Sequence, residues 1–417
     1  MRVLMLTWEY PPRIEGGLAQ HVYDLSHALS RQGVDVTVIT CGTSGAPSFE
    51  DDRGVNVYRV TPYALSPPDF PLWVLQLNTA MLETVPVINK NNKPDLIHAH
   101  DWLVAFAARA LKHAYRLPLV VTIHATEFGR HNGLHTPLQN YISNVEWWLT
   151  FEAWRVIVCS RYMEHELKYI FQLPGDKVRI IHNGVDPANY EVRTARVTRD
   201  MYAAPGEKIV FYVGRLVREK GVQVLLHAVP KILAGHPRTK FVIAGKGPYQ
   251  EDLKRLAARL GIAQSVYFTG YVDNEVRNAL YSWADVAVFP SLYEPFGIVA
   301  LEGMAARTPV VVSDTGGLSE IVEHEVDGLK VPPDAPEALA SAVLRILHHP
   351  DFGRLLQDRA YKKVLTQYNW QHVARQTRSV YVEVREERQR SNWVSPLDAQ
   401  KSEHFLGKVT QLFGRYT

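Results

Sequence analysis

Two α/β domains in tandem, each a mainly parallel sheet with helices on both faces, are the fold predicted for this sequence of 417 residues. Three observations predict it. At roughly 150 residues per domain the length allows two or three domains. Two stretches, opening near residues 2 and 208, each read as strand, glycine-bearing loop, amphipathic helix and second strand. The strands of each βαβ unit start at the same spacing, Val3 to Val34 in the first and Ile209 to Lys240 in the second. Elsewhere, short apolar runs alternate with helical stretches, the pattern of parallel strands buried on both faces.

The first unit reads as a strand over 2–7, a loop over 8–18, a helix over 19–31, a turn at Gly33 and a strand over 34–40. Further strands are expected over 96–99, 119–123 and 156–159, with a helix from Trp102. The second unit reads as a strand over 209–213, a loop over 214–221, a helix over 222–233, breakers at Gly235 and Pro237, and a strand over 240–244. Strands over 266–268, 286–289 and 310–312 follow. The polar, proline-containing stretch 182–206 marks the boundary, giving domains at 1–195 and 205–380. Beyond Ala338 the pattern is helical, and Phe405, Val409, Leu412 and Phe413 repeat at i, i+4, i+7 and i+8. Segment 381–417 therefore ends on an amphipathic helix, packed within the chain or against another. Trp147, Phe151 and Trp154, with Trp148 beside them, also share a helical face, for which core packing is favoured over sugar stacking or membrane contact.

Composition removes several function classes. Lys plus Arg is 46 and Asp plus Glu is 43, a net charge of +3, too balanced for a nucleic-acid coat. At 46% hydrophobic and 21% charged residues the chain is globular, and a core this size needs no disulfide or metal staple. Cys41 and Cys159 follow apolar runs and are expected to be free core thiols. No signal-peptide h-region, membrane-span-length apolar run or Asn-x-Ser/Thr sequon occurs, which points to a reducing cytoplasm.

Sheets of this kind bind ligands at the carboxyl ends of their strands, and with two such domains the expected site is the cleft between them. The notable residues sit just after strands. Gly16-Gly17-Leu18 opens a helix, where bare amides suit an anion; a plain turn is the alternative. The loop Gly214-Arg215-Leu216-Val217-Arg218-Glu219-Lys220-Gly221 brings cations to a strand end, and Arg suits bidentate phosphate contact. In Glu294-Pro295-Phe296-Gly297-Ile298-Val299-Ala300-Leu301-Glu302 a strand-to-helix turn offers amides for phosphate, with two carboxylates for sugar hydroxyls. Glu294 alone is also explained as an acid offsetting the helix dipole, whereas Glu302 is not. Asp314-Thr315-Gly316-Gly317 is a further strand-end turn, phosphate-binding or structural, and His124 follows another strand. His98, His100 and Asp101 cluster after a strand, yet neither His165-Glu166 nor His324-Glu325 completes a zinc-binding His-Glu-x-x-His, so no metal site is expected. No dinucleotide glycine fingerprint, P-loop or Asp-x-Asp occurs, so diphosphate charge would fall to Arg215, Lys220 and helix N-termini.

Together these residues resemble the retaining GT-B glycosyltransferases of family 4, in the glycogen/starch synthase-like branch, over roughly residues 1–380. The resemblance rests on Glu294-x7-Glu302 within Glu-Pro-Phe-Gly, Gly214-Arg215-x4-Lys220-Gly221 and Gly16-Gly17-Leu18-Ala19. His98-Ala99-His100-Asp101-Trp102 and Thr315-Gly316-Gly317-Leu318 give the synthase leaning. It implies two Rossmann-like domains facing across a cleft, the acceptor side in the first and the donor site mainly in the second, with the last helix crossing back to the first domain. It further implies that Arg215 and Lys220 bind the donor diphosphate, assisted by amides at Gly16, Gly17, Phe296, Gly297 and Ile298. Glu294 would hydrogen-bond the donor sugar, Glu302 the ribose and His124 the transferred sugar. Lys246 and Thr315 would flank the nucleotide, and Asp101 and Trp102 would lie on the acceptor side. Ile14 stands where the bacterial synthases have Lys, and Phe296 where they commonly have Cys. The expected activity is retaining transfer of a hexose, glucose foremost, from a UDP- or ADP-sugar to an α-glucan or oligosaccharide, with no metal cofactor, no nucleic-acid partner and oligomerisation open. A nucleotide-sugar epimerase and a non-catalytic glycan-binding protein are the competing readings.

Overall fold

The computed structural model describes residues 1–63, 65–89, 93–190 and 196–394. The helix expected over 405–413 lies outside them, as do 191–195 within the boundary stretch. The chain forms two compact units. The first comprises Met1–Val158, Leu167–Ile181 and the chain from Ala374; the second comprises Cys159–Glu166 and His182–Val373. The chain thus changes unit four times rather than once.

In the first unit the strands are β1 (Arg2–Leu6), β2 (Asp35–Cys41), β3 (Phe49–Asp52), β4 (Val55–Val60), β5 (Leu96–His100), β6 (Leu119–Ile123), β7 (Arg155–Val158) and β8 (Val178–Ile180). They lie in the order β3-β4-β2-β1-β5-β6-β7-β8, all parallel except the β3/β4 hairpin at the edge. Its turn, Arg53-Gly54, has positive φ at both residues. Every residue of β5 and β6 is buried, including His98 and His100 of β5 and Thr122 of β6 among their aliphatic neighbours. β3 and β4 alternate in burial, and the sequence reading passes over them. Helices α1 (Gly17–Ser30), α2 (Phe70–Asn89), α3 (Ala105–Tyr115), α4 (Glu127–His131), α5 (Pro137–Glu152) and α6 (Arg161–Phe171) connect them.

The second unit has β9 (Lys208–Val213), β10 (Thr239–Ala244), β11 (Val266–Gly270), β12 (Val286–Phe289), β13 (Val310–Ser313) and β14 (Leu329–Val331). All are parallel, in the order β11-β10-β9-β12-β13-β14. This is the doubly wound arrangement, with chain direction across the sheet reversing between β9 and β12. Helices α7 (Val222–Gly235), α8 (Gln250–Arg259), α9 (Asn274–Trp283), α10 (Ile298–Ala305), α11 (Leu318–Ile321), α12 (Pro336–His348) and α13 (Pro350–Gln367) cover it. Its core joins Val210, Tyr212, Leu225, Val229, Phe241, Ile243 and Val343, all buried.

The last described helix, α14 (Trp370–Arg390), belongs to the first unit from Ala374. Its Tyr381 is fully buried, the hydroxyl 2.6 Å from Nδ1 of His98 on β5. Arg155 on β7 pairs with Glu383 at 2.9 Å and Glu387 at 2.6 Å.

One expectation is corrected. Trp147 and Phe151 are exposed, at 44% and 62%, and stack on each other at 5.6 Å rather than in the core. The buried face of α5 is the one carrying Ile142, Val145 and Leu149, and the aromatic pair lies on the opposite side. Cys41 and Cys159 are buried and outside any disulfide, as expected. Among the described residues no helix is long and apolar enough to cross a membrane.

Candidate active site

In the second unit the loops that leave β9, β10, β12 and β13 gather at one end of the sheet. Backbone hydrogen bonds tie them together: Leu216 N–H to Lys246 O at 2.9 Å, Leu292 N–H to Glu219 O at 2.8 Å, and Gly317 N–H to Glu294 O at 2.9 Å. Glycine makes two of these approaches possible. Gly221 has φ +70, and a Cβ there would sit 1.8 Å from Pro290 O; Gly316 has φ +52, and a Cβ would sit 2.0 Å from Glu294 O. Gly221 brings the β9 loop onto the β12 loop, at the strand pair where a doubly wound sheet opens its ligand crevice, and Gly316 brings the β13 loop onto it from the other side.

Lys220 and Glu294 meet there. Lys220 Nζ lies 2.8 Å from Glu294 Oε2, and the Ser291 hydroxyl donates to the same oxygen at 3.1 Å. Glu294 is buried while Lys220 is half-buried, so the ammonium both neutralises the carboxylate and keeps access to solvent. Arg215, on the same loop, is exposed and forms no ion pair among the described residues. Its backbone carbonyl accepts a hydrogen bond from the buried Tyr212 hydroxyl at 3.2 Å, which anchors the loop and leaves the guanidinium outside. Lys246 is exposed, its ammonium 5.9 Å from the centre of the Tyr271 ring.

Gly297, at φ +104, caps α10, and Ile298 is its first residue, so the leading amides of this helix have no intrahelical acceptor. Phe296 is buried and its ring stacks on His182 at 5.9 Å, so this residue offers its backbone rather than its side chain. Thr315 donates to Leu292 O at 3.4 Å. Glu302 is held apart from this group. It is buried, 3.2 Å from Arg277 Nη1 and 3.1 Å from the Tyr281 hydroxyl. Neither partner was singled out in the sequence; their i, i+4 spacing on α9 is a signal that marks a shared face, not a function.

In the first unit a second group lies at strand ends. His124 follows β6, and its backbone N–H donates to Asp101 Oδ1 at 2.8 Å. Asp101 follows β5 at φ 59 and is buried, and burial raises its carboxyl to about 6. His100 Nδ1 lies 3.2 Å from His124 Nε2, and the ring of His21, on α1, lies 4.5 Å from that of His124. Burial, with Arg130 nearby, holds His124 down at about 3, so the imidazole is neutral. Trp102 is buried, edge-on to Phe70 at 6.0 Å.

The Gly16-Gly17 loop contains a residue that sequence reasoning passed over. Glu9, just after β1, is buried, and its Oε2 accepts the N–H groups of Glu15 at 2.7 Å and Gly16 at 3.1 Å. One of the amides expected to meet a phosphate is thus engaged by the protein's own carboxylate. Desolvation, only partly offset by these amides, raises Glu9 to about 7. The strand-end rule that selected His124 also selects Glu9.

Comparison with known proteins identifies the family. Residues 198–363 match the family described as Glycosyl transferases group 1, and residues 15–189 match Glycosyltransferase Family 4. An uncharacterized glycosyltransferase of Methanocaldococcus jannaschii is 42% identical over 91% of this chain and 98% of its own length. The glycogen synthase of Mycobacterium tuberculosis is 38% identical over 92% of this chain and 94% of its own. Among solved structures, sucrose-phosphate synthase from Thermosynechococcus elongatus superposes with a TM-score of 0.80 at 27% identity, covering 92% of this chain and 99% of that one.

Proposed function

The chain belongs to the GT-B glycosyltransferases, in their glycogen synthase-like branch, and from that premise we propose that it transfers a hexose, glucose foremost, from a nucleoside diphosphate sugar to a glucan or oligosaccharide with retention at the anomeric carbon. The observation that carries this reading is the Lys220–Glu294 pair at the β9/β12 crevice, with the exposed Arg215 on the same loop. Arg215 and Lys220 bind the diphosphate, and the amides of Gly297 and Ile298 at the α10 N-terminus add oriented dipoles. Glu294, once Lys220 turns to phosphate, accepts from hydroxyls of the sugar. Glu302, positioned by Arg277 and Tyr281, takes the ribose, and Lys246 and Thr315 border the nucleotide.

In the reaction the bond from the anomeric carbon to the diphosphate oxygen breaks, and a bond to the acceptor oxygen forms on the same face. The acceptor's proton passes to the departing phosphate oxygen. Negative charge grows on the diphosphate as the bond breaks, and preorganised cations and amides lower the barrier where that charge develops. His124, a neutral imidazole, hydrogen-bonds a hydroxyl of the transferred sugar; Asp101 and Trp102 serve the acceptor. No resident metal takes part in this scheme. The 38% identity to a glycogen synthase supports glucose and a glucan.

A thermal-shift screen of UDP-, ADP- and GDP-sugars and their free diphosphates tests the proposal, since a ligand of the folded state raises its transition by mass action. The reading expects a glucose nucleotide to give the largest shift and an α-linked product to form on maltooligosaccharides. No shift with any nucleotide overturns it.

A further inference from the structure

Within the first unit, three imidazoles come from three separate elements: His21 from α1, His100 from the end of β5 and His124 from just after β6. One nitrogen from each ring lies within 4.8 Å of the others. His21 and His100 are buried and His124 is half-buried, so the group is reached from solvent through His124. His98, the fourth histidine of the neighbourhood, does not join them. Its two nitrogens are engaged by the Tyr381 hydroxyl at 2.6 Å and the Thr122 hydroxyl at 2.7 Å.

We propose that His21, His100 and His124 form a binding site for a divalent transition-metal ion of the zinc type. Zinc holds imidazole nitrogens at about 2.0–2.1 Å, which sets two of them about 3.3 Å apart at a tetrahedral angle. His100 Nδ1 and His124 Nε2 already stand 3.2 Å apart. That contact is a hydrogen bond between the rings, so binding a metal releases its proton and tilts both rings towards the ion, while the His21 ring closes the remaining distance by a side-chain rotation. The Asp101 carboxylate, by accepting the His124 N–H, fixes the backbone from which the His124 ring projects. His100 Nε2 is buried without a hydrogen-bond partner, so turning the ring towards a metal breaks no hydrogen bond at that nitrogen. An all-imidazole set selects zinc, cobalt, nickel or copper and rejects magnesium and calcium, which take oxygen ligands. Three protein ligands leave the remaining position to water.

The ion is no cofactor for the transfer proposed above. It takes Nε2 of His124, so where the sugar hydroxyl uses that same nitrogen metal and transfer exclude one another; this consequence, unlike the site itself, rests on that reading. The test uses the full chain without a histidine tag, treated with EDTA and titrated with Co2+. The expected result is a visible d–d band of a four- or five-coordinate Co2+, saturating at one equivalent, displaced by Zn2+ and untouched by excess Mg2+. His21→Ala and His100→Asn should each weaken Co2+ by about 100-fold or more. Thermal unfolding of the metal-free variants shows whether they remain folded, and a folded variant that keeps the wild-type band overturns the site. Absence of any band or calorimetric heat with the wild-type chain overturns it too. Because the readout needs neither sugar nor nucleotide, it stands apart from the transfer assay. Metal-loaded protein that transfers at full rate would keep the site and remove His124 from the sugar contact.

Discussion

Glu9→Gln should make the stability of the first unit less dependent on pH. The Glu9 carboxyl is raised from an ordinary 4.5 to about 7, first by burial and only partly relieved by the Glu15 and Gly16 amides. That makes ionisation about 3 kcal/mol harder in the folded chain than in the unfolded one. Below pH 4.5 both states are protonated and the contribution to stability is complete. Between 4.5 and 7 the unfolded chain releases the proton while the folded chain keeps it, so this stability is lost as pH rises. Above 7 the loss is complete. Glutamine keeps the size and the accepting oxygen but has no charge to desolvate. Thermal unfolding of both proteins from pH 4 to 8, followed by intrinsic fluorescence, gives the difference directly. It should be near zero at pH 4.5 and grow to favour the variant by about 6–12 °C at pH 8, at the usual 2–4 °C per kcal/mol for domains of this size. Taking the difference cancels the titrating groups that do not interact with Glu9; Asp101 and Glu15, whose charges help to raise it, are the exceptions. A difference that stays constant across the range would show that Glu9 is not desolvated and refute the reasoning.

Arg215→Ala should lower turnover by about 100- to 1000-fold through lost charge stabilisation while leaving the unfolding temperature unchanged, because the guanidinium is exposed; near-normal turnover removes it from the diphosphate. Lys220→Met and Glu294→Gln, combined in a double-mutant cycle by urea unfolding, should show a coupling of about 1–3 kcal/mol, since each removes the partner of a largely buried group at 2.8 Å. Strictly additive effects would deny the pair. Gly221→Ala should cost at least about 2–3 kcal/mol and weaken nucleotide binding in parallel, because its Cβ would meet Pro290 O at 1.8 Å in a left-handed backbone. Wild-type stability and nucleotide shift would separate the loop's glycine from the crevice.

The central strands were readable because burial on both faces favours apolar runs, as in β1, β12 and β13. Apart from β11, the elements at the sheet edges were not. β4 mixes Asn56 and Arg59 among its valines, and β8 and β14 are three residues each, too short for periodicity to register. The aromatic residues of α5 misled for a related reason: spacing places them on one face but does not say which face the sheet covers.

Strand-end position and residue type by themselves determined where Arg215, Lys220, Glu294 and His124 lie along the chain, because a parallel sheet delivers its loops to one end. Only the tertiary structure decided which of them meet. Strand order, a matter of long-range pairing, puts β9 beside β12 and so Lys220 against Glu294, though 74 residues separate them. It likewise turned Glu302 towards Arg277 and Tyr281, gave Glu9 the Gly16 amide, and gathered His21, His100 and His124 from three elements. A sequence states which groups a chain carries; the distances between them are set by packing, and a hydrogen bond, an ion pair or a raised carboxyl depends on those distances alone.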